Sequence, residues 1–370
     1  EQGLTVLVTD HHEIPFEEID GEKHYKSSIA DAIVNPHRKD CPYPYKNLCG
    51  AAVAWKVVCL LYERCGVDFA EAEVLLENVA FATVGDIMSL TGENRILVKE
   101  GLKRIHKTRN IGMKALIAQC GLDPEEVDAF HFGFLLGPCI NATGRLDTAK
   151  RALELLFSTD EGQAVQVASE LVILNNERKD MTSEGVELAI GQYEKHHMEE
   201  DKVLVIYLPK VHESIAGIIA GRIREKYHKP TFILTRAEEG VKGSGRSIEE
   251  YSMYEEMCKC KDLFTKFGGH PMAAGMSLPR ENLQLLRKRL NQNCTQTEES
   301  MVEKISIDIA MPIQYISESF IEELKVLEPF GNGNSKPLFA ERDFHVLQSQ
   351  VLGKNKNAVK VYGTNSAGCH

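Results

Sequence analysis

Residues 4–13 read LTVLVTDHHE, a run of aliphatic and β-branched residues that gives way to polar ones. The run predicts a short β-strand over Leu4–Val8. Asp10, His11 and His12 follow at the strand's carboxyl end, where α/β enzymes place active-site side chains. A carboxylate beside two imidazoles suits a divalent ion such as Mn²⁺. Taken alone, the tripeptide could equally be a chance surface turn.

The next segments alternate between strand and helix patterns. Residues 30–35 predict a second short strand, and 48–65 a helix that stops at Gly66. Residues 71–90 predict a second helix, with Gly85 and Asp86 inside it or at its end. This alternation predicts an α/β fold with a mostly parallel sheet flanked by helices.

Asp86 lies among apolar residues, where an acid is expensive to bury unless it is paired or binds a metal. A helix cap is the alternative role for Asp86.

The second half of the chain suggests further segments. Residues 148–197 contain no Pro and predict two helices, the second running from about Asp160 past Tyr193 as a rigid connector. A new α/β pattern begins at Lys202, and residues 291–300 predict a polar linker. We therefore predict an α/β domain over 1–150, a helical connector over 151–200, a second α/β domain over 201–296 and a β-rich segment over 301–370.

Several glycine-rich stretches carry residues that could hold a phosphate. NATGR contains Asn141 and Arg145, and GSGRS contains Ser244 and Arg246. We interpret residues 243–246 as a turn whose glycines let backbone N–H groups approach an anion while the arginine supplies a planar, charged fork. Residues 267–270 predict a similar turn that ends in His270. Each stretch could also be an ordinary structural turn.

Composition describes a globular chain, with 43% hydrophobic and 26% charged residues and a net charge of −11. That charge argues against a generic nucleic-acid coat but leaves room for a local basic channel. The basic stretch 99–114 is either a solvated helix face or a nucleic-acid face. Ten scattered cysteines form no CxxC pair and indicate reduced thiols in a cytoplasmic protein. No signal peptide and no apolar run of roughly 20 residues is found, so no membrane association is expected.

The motifs together resemble one known superfamily. VTDHHE, NPHRKDCPYPYKNLCGAAVAWK and ATVGDIM are similar to the later motifs of the DHH phosphoesterase domain. GSGRS and FGGHPMAAGMSL are similar to its companion domain, DHHA1. LEPFGNGNSKPLF, residues 327–339, resembles the OB-fold segment of the superfamily's single-strand-DNA-specific 5′→3′ exonucleases.

The resemblance implies a role for each candidate residue. It implies that His11 is a metal ligand, Asp86 a bridging ligand and His12 a contact to the scissile phosphate, in a site for two Mn²⁺ or Mg²⁺ ions. Asp10 would ligate a metal or orient the others. Arg145, Ser244 and Arg246 would grip DNA, the last two near its 5′-phosphate, and Asn141 and His270 complete the expected substrate-binding set.

One departure from the family pattern affects the metal site. The superfamily carries an Asp-x-Asp motif and a further Asp upstream of DHH, whereas only nine residues precede Asp10 here. We therefore expect a fragment of a longer enzyme and leave open whether it is active alone. A relative that hydrolyses oligonucleotides, cyclic dinucleotides or pyrophosphate, a non-catalytic DNA-binding scaffold, and a metabolic α/β enzyme with chance motifs are the alternatives.

The resemblance also implies partners. The expected substrate is single-stranded DNA, with single-strand-binding protein and a helicase as further candidate partners. We expect a monomer.

Overall fold

The computed structural model of the chain describes residues 3–19, 22–26, 28–146, 149–297, 299–353 and 358–365. The side chains of residues 17–19, 23, 145 and 146 also lie outside this description. The chain forms two compact units. The first combines residues up to Gly137 with those from Ile305 onward, and the second is Pro138–Lys304. Across the described ranges, no helix has both the length and the apolar character needed to cross a bilayer.

The described residues in the amino-terminal part of the first unit form short strands followed by α-helices. They are β1 Leu7–Thr9, β2 Phe16–Ile19, β3 Glu22–Tyr25, β4 Ala32–Val34, α1 Gly50–Cys65, α2 Phe69–Glu73, α3 Leu76–Gly85, α4 Gly92–Ile105, α5 Ile111–Gln119 and α6 Ala129–His131. Strands β1 and β4 pair in parallel, with Val8 opposite Ile33, and β2 and β3 form an antiparallel hairpin.

Helix boundaries in this part follow local chemistry. Gly66 adopts a left-handed conformation (φ 68°) and ends α1 at the predicted place. The single helix predicted over residues 71–90 is wrong, because the chain breaks it into α2 and α3. The indole N–H of Trp55 donates to the carbonyl of Ala72 (2.7 Å), so the end of α2 has a partner outside the helix.

The described residues of the second unit form α-helices, the first of which begins at Gly137, and the strands of one sheet. They are α7 Gly137–Leu146, α8 Lys150–Leu156, α9 Glu161–Lys195, β5 Leu204–Tyr207, α10 Glu213–Tyr227, β6 Thr231–Arg236, β7 Val241–Arg246, α11 Met253–Cys258, β8 Lys266–His270, β9 Ala273–Leu278 and α12 Leu283–Asn293. The strands form one sheet in the order β5-β6-β7-β9-β8, parallel between β5 and β6 and antiparallel elsewhere.

Both faces of this sheet carry a hydrophobic core. Phe232 and Leu234 point into one core, which α11 and α12 complete, and Ile233 points into the other with residues of α10. The carboxyl-terminal half of the 35-residue α9 packs on α10. A β-carbon on Gly185 would lie 2.4 Å from Ile219 Cδ1, so glycine at this position leaves room for the Ile219 side chain between the two helices.

The carboxyl-terminal segment returns to the first unit. Its elements are β10 Ile309–Ala310, α13 Glu318–Leu324, β11 Phe339–Ala340, β12 His345–Leu352 and β13 Ala358–Thr364. Strands β10 and β11 pair in parallel, and β12 and β13 form an antiparallel hairpin. The predicted α/β class with an added β-rich segment is confirmed.

Candidate metal centre and phosphate-binding face

Asp10 fixes the turn that carries the two histidines. Its backbone N–H donates to Val34 O (2.9 Å), which extends the pairing of β1 with β4 by one residue. Its Oδ1 accepts from the backbone N–H groups of His11 (2.8 Å) and His12 (3.3 Å) and lies 2.8 Å from Nδ1 of the His12 ring. Partial burial alone would raise the pKa of this carboxyl, but these hydrogen bonds lower it below its usual value. Asp10 therefore stays ionised and orients the His12 ring.

Asn35 ties this turn to the segment after β4. Its side chain is buried, and Nδ2 donates to His12 O (2.9 Å) and to Asp10 Oδ2 (3.3 Å). Its Oδ1 accepts from the backbone N–H of His37 (2.8 Å). The His37 ring in turn lies 2.9 Å from Glu13 Oε1 through Nδ1. One buried amide thus ties together the segments that follow the carboxyl ends of β1 and β4.

His11 and Asp86 face each other across the start of α1. The distance from His11 Nε2 to Asp86 Oδ2 is 3.7 Å, and the side chains are 19% and 49% exposed. Gly50 leaves room for the ring, since a β-carbon there would lie 3.3 Å from His11 Cδ2. Helix α3 ends at Gly85 with Asp86 as its carboxyl-terminal cap residue, so the carboxylate is half-exposed and faces His11.

His12 presents its ring to solvent. The side chain is 76% exposed, and its ring centroid lies 4.3 Å from that of His11 at an interplanar angle of 44°. Because Asp10 occupies Nδ1, the ring nitrogen left for a further partner is Nε2.

The His11 and Asp86 pair suits a divalent cation. One ion can bind both atoms after a small adjustment, since Mg²⁺ binds oxygen at about 2.0–2.1 Å and imidazole suits Mn²⁺ as well. Within the ranges that the structure describes, no group of three or more His, Cys, Asp or Glu side chains has metal-holding geometry. These residues therefore offer two ligands, and a complete centre needs more.

A second candidate site lies on the sheet of the second unit. Arg246 of β7 and His270 of β8 both pair with Ala273 of β9, one from each side. Directly opposed residues of antiparallel strands point to the same face, so the two side chains share one face of the sheet. Ser244 lies on this face too, two residues before Arg246.

The middle of this face is bare backbone. Gly275 pairs with Ser244 on one side and with Gly268 on the other. A β-carbon on Gly268 or Gly275 would meet nothing within 4 Å. An extended ligand can therefore approach the strands closely between the side chains of Ser244, Arg246 and His270.

The predicted turns over residues 243–246 and 267–270 are wrong, because both stretches are strands. Strand β7 is paired on both sides, so its backbone N–H groups serve the sheet and do not form an anion-binding turn. Its glycines are required by packing on the opposite face. A β-carbon on Gly245 would lie 2.5 Å from Met253 Sδ, and one on Gly243 would lie 2.6 Å from Leu234 Cδ2.

The other residues predicted to bind substrate differ in their exposure and in their hydrogen-bond partners. Nη1 of Arg246 donates to Gly245 O (2.8 Å), and its guanidinium lies against α10, where a β-carbon on Gly217 would be 2.9 Å from Nη2. His270 is exposed, and its Nδ1 accepts from the backbone N–H of Met272 (3.3 Å). Asn141 is exposed on α7. Arg145 belongs to the same helix, but its side chain lies outside the described residues.

Several residues that shape the two candidate sites were not among the site residues predicted from the sequence. Asn35 had a signal, because it ends a predicted strand and opens the NPHR stretch, whereas Gly50 and Gly217 had none. The basic stretch 99–114 favours the solvated-face interpretation, since Arg104 pairs with Glu73 (3.2 Å) and Glu100 (3.1 Å) within the same unit.

Comparisons with known proteins find similar domains and relatives along the chain. Residues 200–296 match the DHHA1 domain family, and residues 307–367 match the RecJ OB domain family. The single-stranded-DNA-specific exonuclease RecJ of Bacillus subtilis is 34% identical over 98% of this chain and 44% of its own length. The protein of the same name from Escherichia coli is 32% identical over 97% of this chain and 64% of its own length. The chain thus spans about half to two thirds of these relatives.

Solved structures give the same result. Crystal structures of RecJ from Thermus thermophilus match with a TM-score of 0.80 in a complex with Mn²⁺ and 0.77 in a complex with Mg²⁺. Identities are 27% and 29%, and coverage is 99% and 87% of this chain but 53% and 50% of those chains. Two domain families, curated relatives along nearly the whole chain and two metal-bound structures agree: the chain carries segments that match the DHHA1 and RecJ OB domain families and is similar to RecJ proteins along nearly its whole length.

Proposed function

We propose that the protein containing this chain is a single-strand-DNA-specific 5′→3′ exonuclease that uses two divalent ions and releases 5′-mononucleotides, in DNA repair and recombination. The observation that carries the proposal is the His11 and Asp86 pair, with His12 exposed beside it at the end of β1. The exonuclease names of the relatives support the substrate class. The Mn²⁺ and Mg²⁺ in the related crystal structures support the metal.

We assign the metal-holding role to His11 and Asp86. The missing ligands would be the acids that the family motif carries before DHH. When bound, two ions would activate a water molecule and stabilise the leaving oxygen of the phosphodiester.

The chain's own residues prepare the substrate. Asp10 and Asn35 hold the turn so that the His12 ring keeps one orientation, with Nδ1 on Asp10. In its protonated form, His12 can donate from Nε2 to an oxygen of the scissile phosphate. We therefore place Asp10 in an orienting role and His12 in contact with substrate.

The glycine-rich face of the second unit is proposed to hold the strand's 5′ end. Ser244 offers a hydroxyl, Arg246 a charged fork and His270 a ring donor, all on one sheet face. The bare backbone of Gly268 and Gly275 leaves space for the sugar-phosphate chain. Asn141 and Arg145 on α7 complete the proposed DNA contacts, and the carboxyl-terminal OB segment would lengthen the track for a single strand.

Cellular context is proposed from the resemblance alone. Single-strand-binding protein and a helicase are the candidate partners, the location is cytoplasmic and the chain acts as a monomer. No contact of the described residues bears on these points.

The decisive experiment uses full-length protein and Asp86→Ala. We expect loss of Mn²⁺-dependent cleavage by at least about 100-fold, with affinity for a single strand in chelator within about two-fold of wild type. Asp123→Ala, at an exposed helix cap, is the matched control and should cleave normally. Wild-type cleavage that persists in excess chelator, or only a few-fold loss in Asp86→Ala, would remove the metal-centre proposal.

A further inference from the structure

The segment Pro329–Asn334, which reads PFGNGN, lies against the loop Ile87–Thr91 that follows Asp86. We call this segment the Asn332 loop. Both stretches belong to the first unit. We propose that Asn332 is a positioning residue for Asp86, because it holds the backbone of Ile87 in the conformation that aims the Asp86 carboxylate at His11. This inference rests on the proposed metal-binding role of Asp86.

Ile87 has a backbone conformation that its side chain disfavours. Its φ is +57°, in the left-handed region, where a β-branched residue is a genuine outlier. The conformation closes the end of α3, since the N–H of Met88 donates to Thr83 O (3.1 Å) and that of Ile87 to Val84 O (3.0 Å). Asp86 lies inside these two hydrogen-bonded turns, so a change in the Ile87 backbone would open the turns that hold the Asp86 backbone in place.

The strain at Ile87 is not offset by burial of its own side chain. That side chain is 73% exposed. A strained residue persists only where its surroundings over-determine it. The left-handed conformation of Ile87 must therefore be stabilised by contacts of the neighbouring backbone.

Asn332 supplies two such contacts from 245 residues away along the chain. Its Nδ2 donates to the carbonyl of Ile87 (2.8 Å). Its own carbonyl accepts from the N–H of Leu90 (2.7 Å). The two bonds span the loop on either side of Met88 and Ser89, so a rotation of the Ile87 backbone must break at least one of them.

Glycines allow the Asn332 loop to come this close. A β-carbon on Gly331 would lie 2.6 Å from Leu90 Cδ1, and one on Gly333 would lie 2.2 Å from Ser89 Oγ. Gly333 also has φ +71°, which favours glycine. These residues explain why the motif alternates Gly and Asn: the glycines permit contact, and Asn332 makes the hydrogen bonds.

The loop is itself anchored to rigid structure. Nη2 of Arg95, on α4, donates to the carbonyls of Val326 (2.7 Å) and Glu328 (3.0 Å). Inside the loop, Asn334 Nδ2 donates to Pro329 O (2.9 Å), and Gly331 and Asn334 exchange backbone hydrogen bonds. These hydrogen bonds hold the backbone of the Asn332 loop in place against α4.

The test measures Mn²⁺ affinity of full-length protein by electron paramagnetic resonance of free Mn²⁺, a readout that needs no turnover. Asn332→Asp keeps the side chain's shape and removes its donor, so the dissociation constant should rise about ten-fold. Gly333→Ala forces the loop away from Ser89 and is a second variant with the same expected loss. Gln119→Ala, an exposed amide at the end of α5, is the control and should leave affinity unchanged.

A rescue separates positioning from general damage. Asparagine adopts the left-handed conformation more readily than isoleucine. In an Ile87→Asn background, Asn332→Asp should therefore raise the dissociation constant by less than about three-fold. Thermal melts by circular dichroism identify the variants that are folded, and affinities are compared among those.

The outcomes are distinct. Equal Mn²⁺ affinity in Asn332→Asp and Gln119→Ala, or a ten-fold loss that persists in the Ile87→Asn background, overturns the positioning role while the proposed function stands. Failure of the wild type to bind Mn²⁺ or to cut single strands overturns the proposed function itself.

Discussion

Replacing Asn35 by alanine should loosen the turn that carries His11 and His12. The amide makes three hydrogen bonds, to His12 O, Asp10 Oδ2 and the N–H of His37. Neutral hydrogen bonds contribute about 1 kcal/mol each, and those to a carboxylate somewhat more. The bond to Asp10 is long at 3.3 Å, so we count it near 1 kcal/mol as well. The expected loss is about 3 kcal/mol in the stability of the first unit.

Two measurements check this prediction. Urea unfolding gives the loss of stability, and hydrogen exchange of a peptide covering residues 4–13 reports whether the backbone N–H groups that Asp10 binds become exposed. The control is Asn175→Ala, which removes another buried amide from the second unit, where it bonds to Arg178 and Cys139. The control should lose stability without faster exchange in residues 4–13.

Two results would refute the proposed role of Asn35. If Asn35→Ala loses less than about 1 kcal/mol, or if its exchange in residues 4–13 matches that of Asn175→Ala, the amide does not organise the turn. Asn35→Asp sharpens the test, because it places a second carboxylate beside Asp10. It should cost more stability than alanine at pH 7, and the difference should shrink as the pH falls and protonation of one carboxyl relieves the repulsion.

Three further predictions concern separate features. Gly275→Val should leave the melting temperature within a few degrees of wild type, since the space above it is open, yet weaken binding of single strands about ten-fold or more in a fluorescence anisotropy titration. Arg246→Ala should remove an about ten-fold preference for 5′-phosphorylated over 5′-hydroxyl strands in initial rates; equal slowing of both strands would contradict end recognition. Burial raises the pKa of the Glu77 carboxyl, and a hydrogen bond donated by Thr108 partly opposes this rise. Folding therefore favours the protonated form of Glu77 more than the unfolded state does. Glu77→Gln should therefore be more stable than wild type by about 1 kcal/mol at pH 7, with the gap in urea unfolding closing below about pH 4.

Local signals explain what the sequence could predict. Gly66 ends α1 because its left-handed conformation is a property of one residue. The α/β pattern predicted to begin at Lys202 likewise agrees with the structure, where β5, α10 and β6 follow one another, each with an apolar period of its own. The apolar run before Asp10 is also a local signal, and it correctly indicated that Asp10, His11 and His12 follow the carboxyl end of β1.

Non-local packing explains what the sequence could not predict. Gly243 and Gly245 look like turn residues, but Leu234 and Met253 require glycine there inside a strand. The end of α3 depends on an isoleucine in a conformation that local propensity argues against. No pattern near Asp86 indicates that its loop contacts residues some 245 positions later.

The order of the two units along the chain has a consequence during synthesis. Residues 138–304 form a complete unit of their own, whereas the first unit needs residues from 305 onward. At about 5–20 residues per second, a ribosome takes roughly 12–50 s to travel from Ile87 to Asn332. Throughout that interval the nascent chain carries the DHH turn without the segment that closes around the Asp86 loop. The inserted unit can mature first, and the first unit reaches its final form only after residues from Ile305 onward have been made.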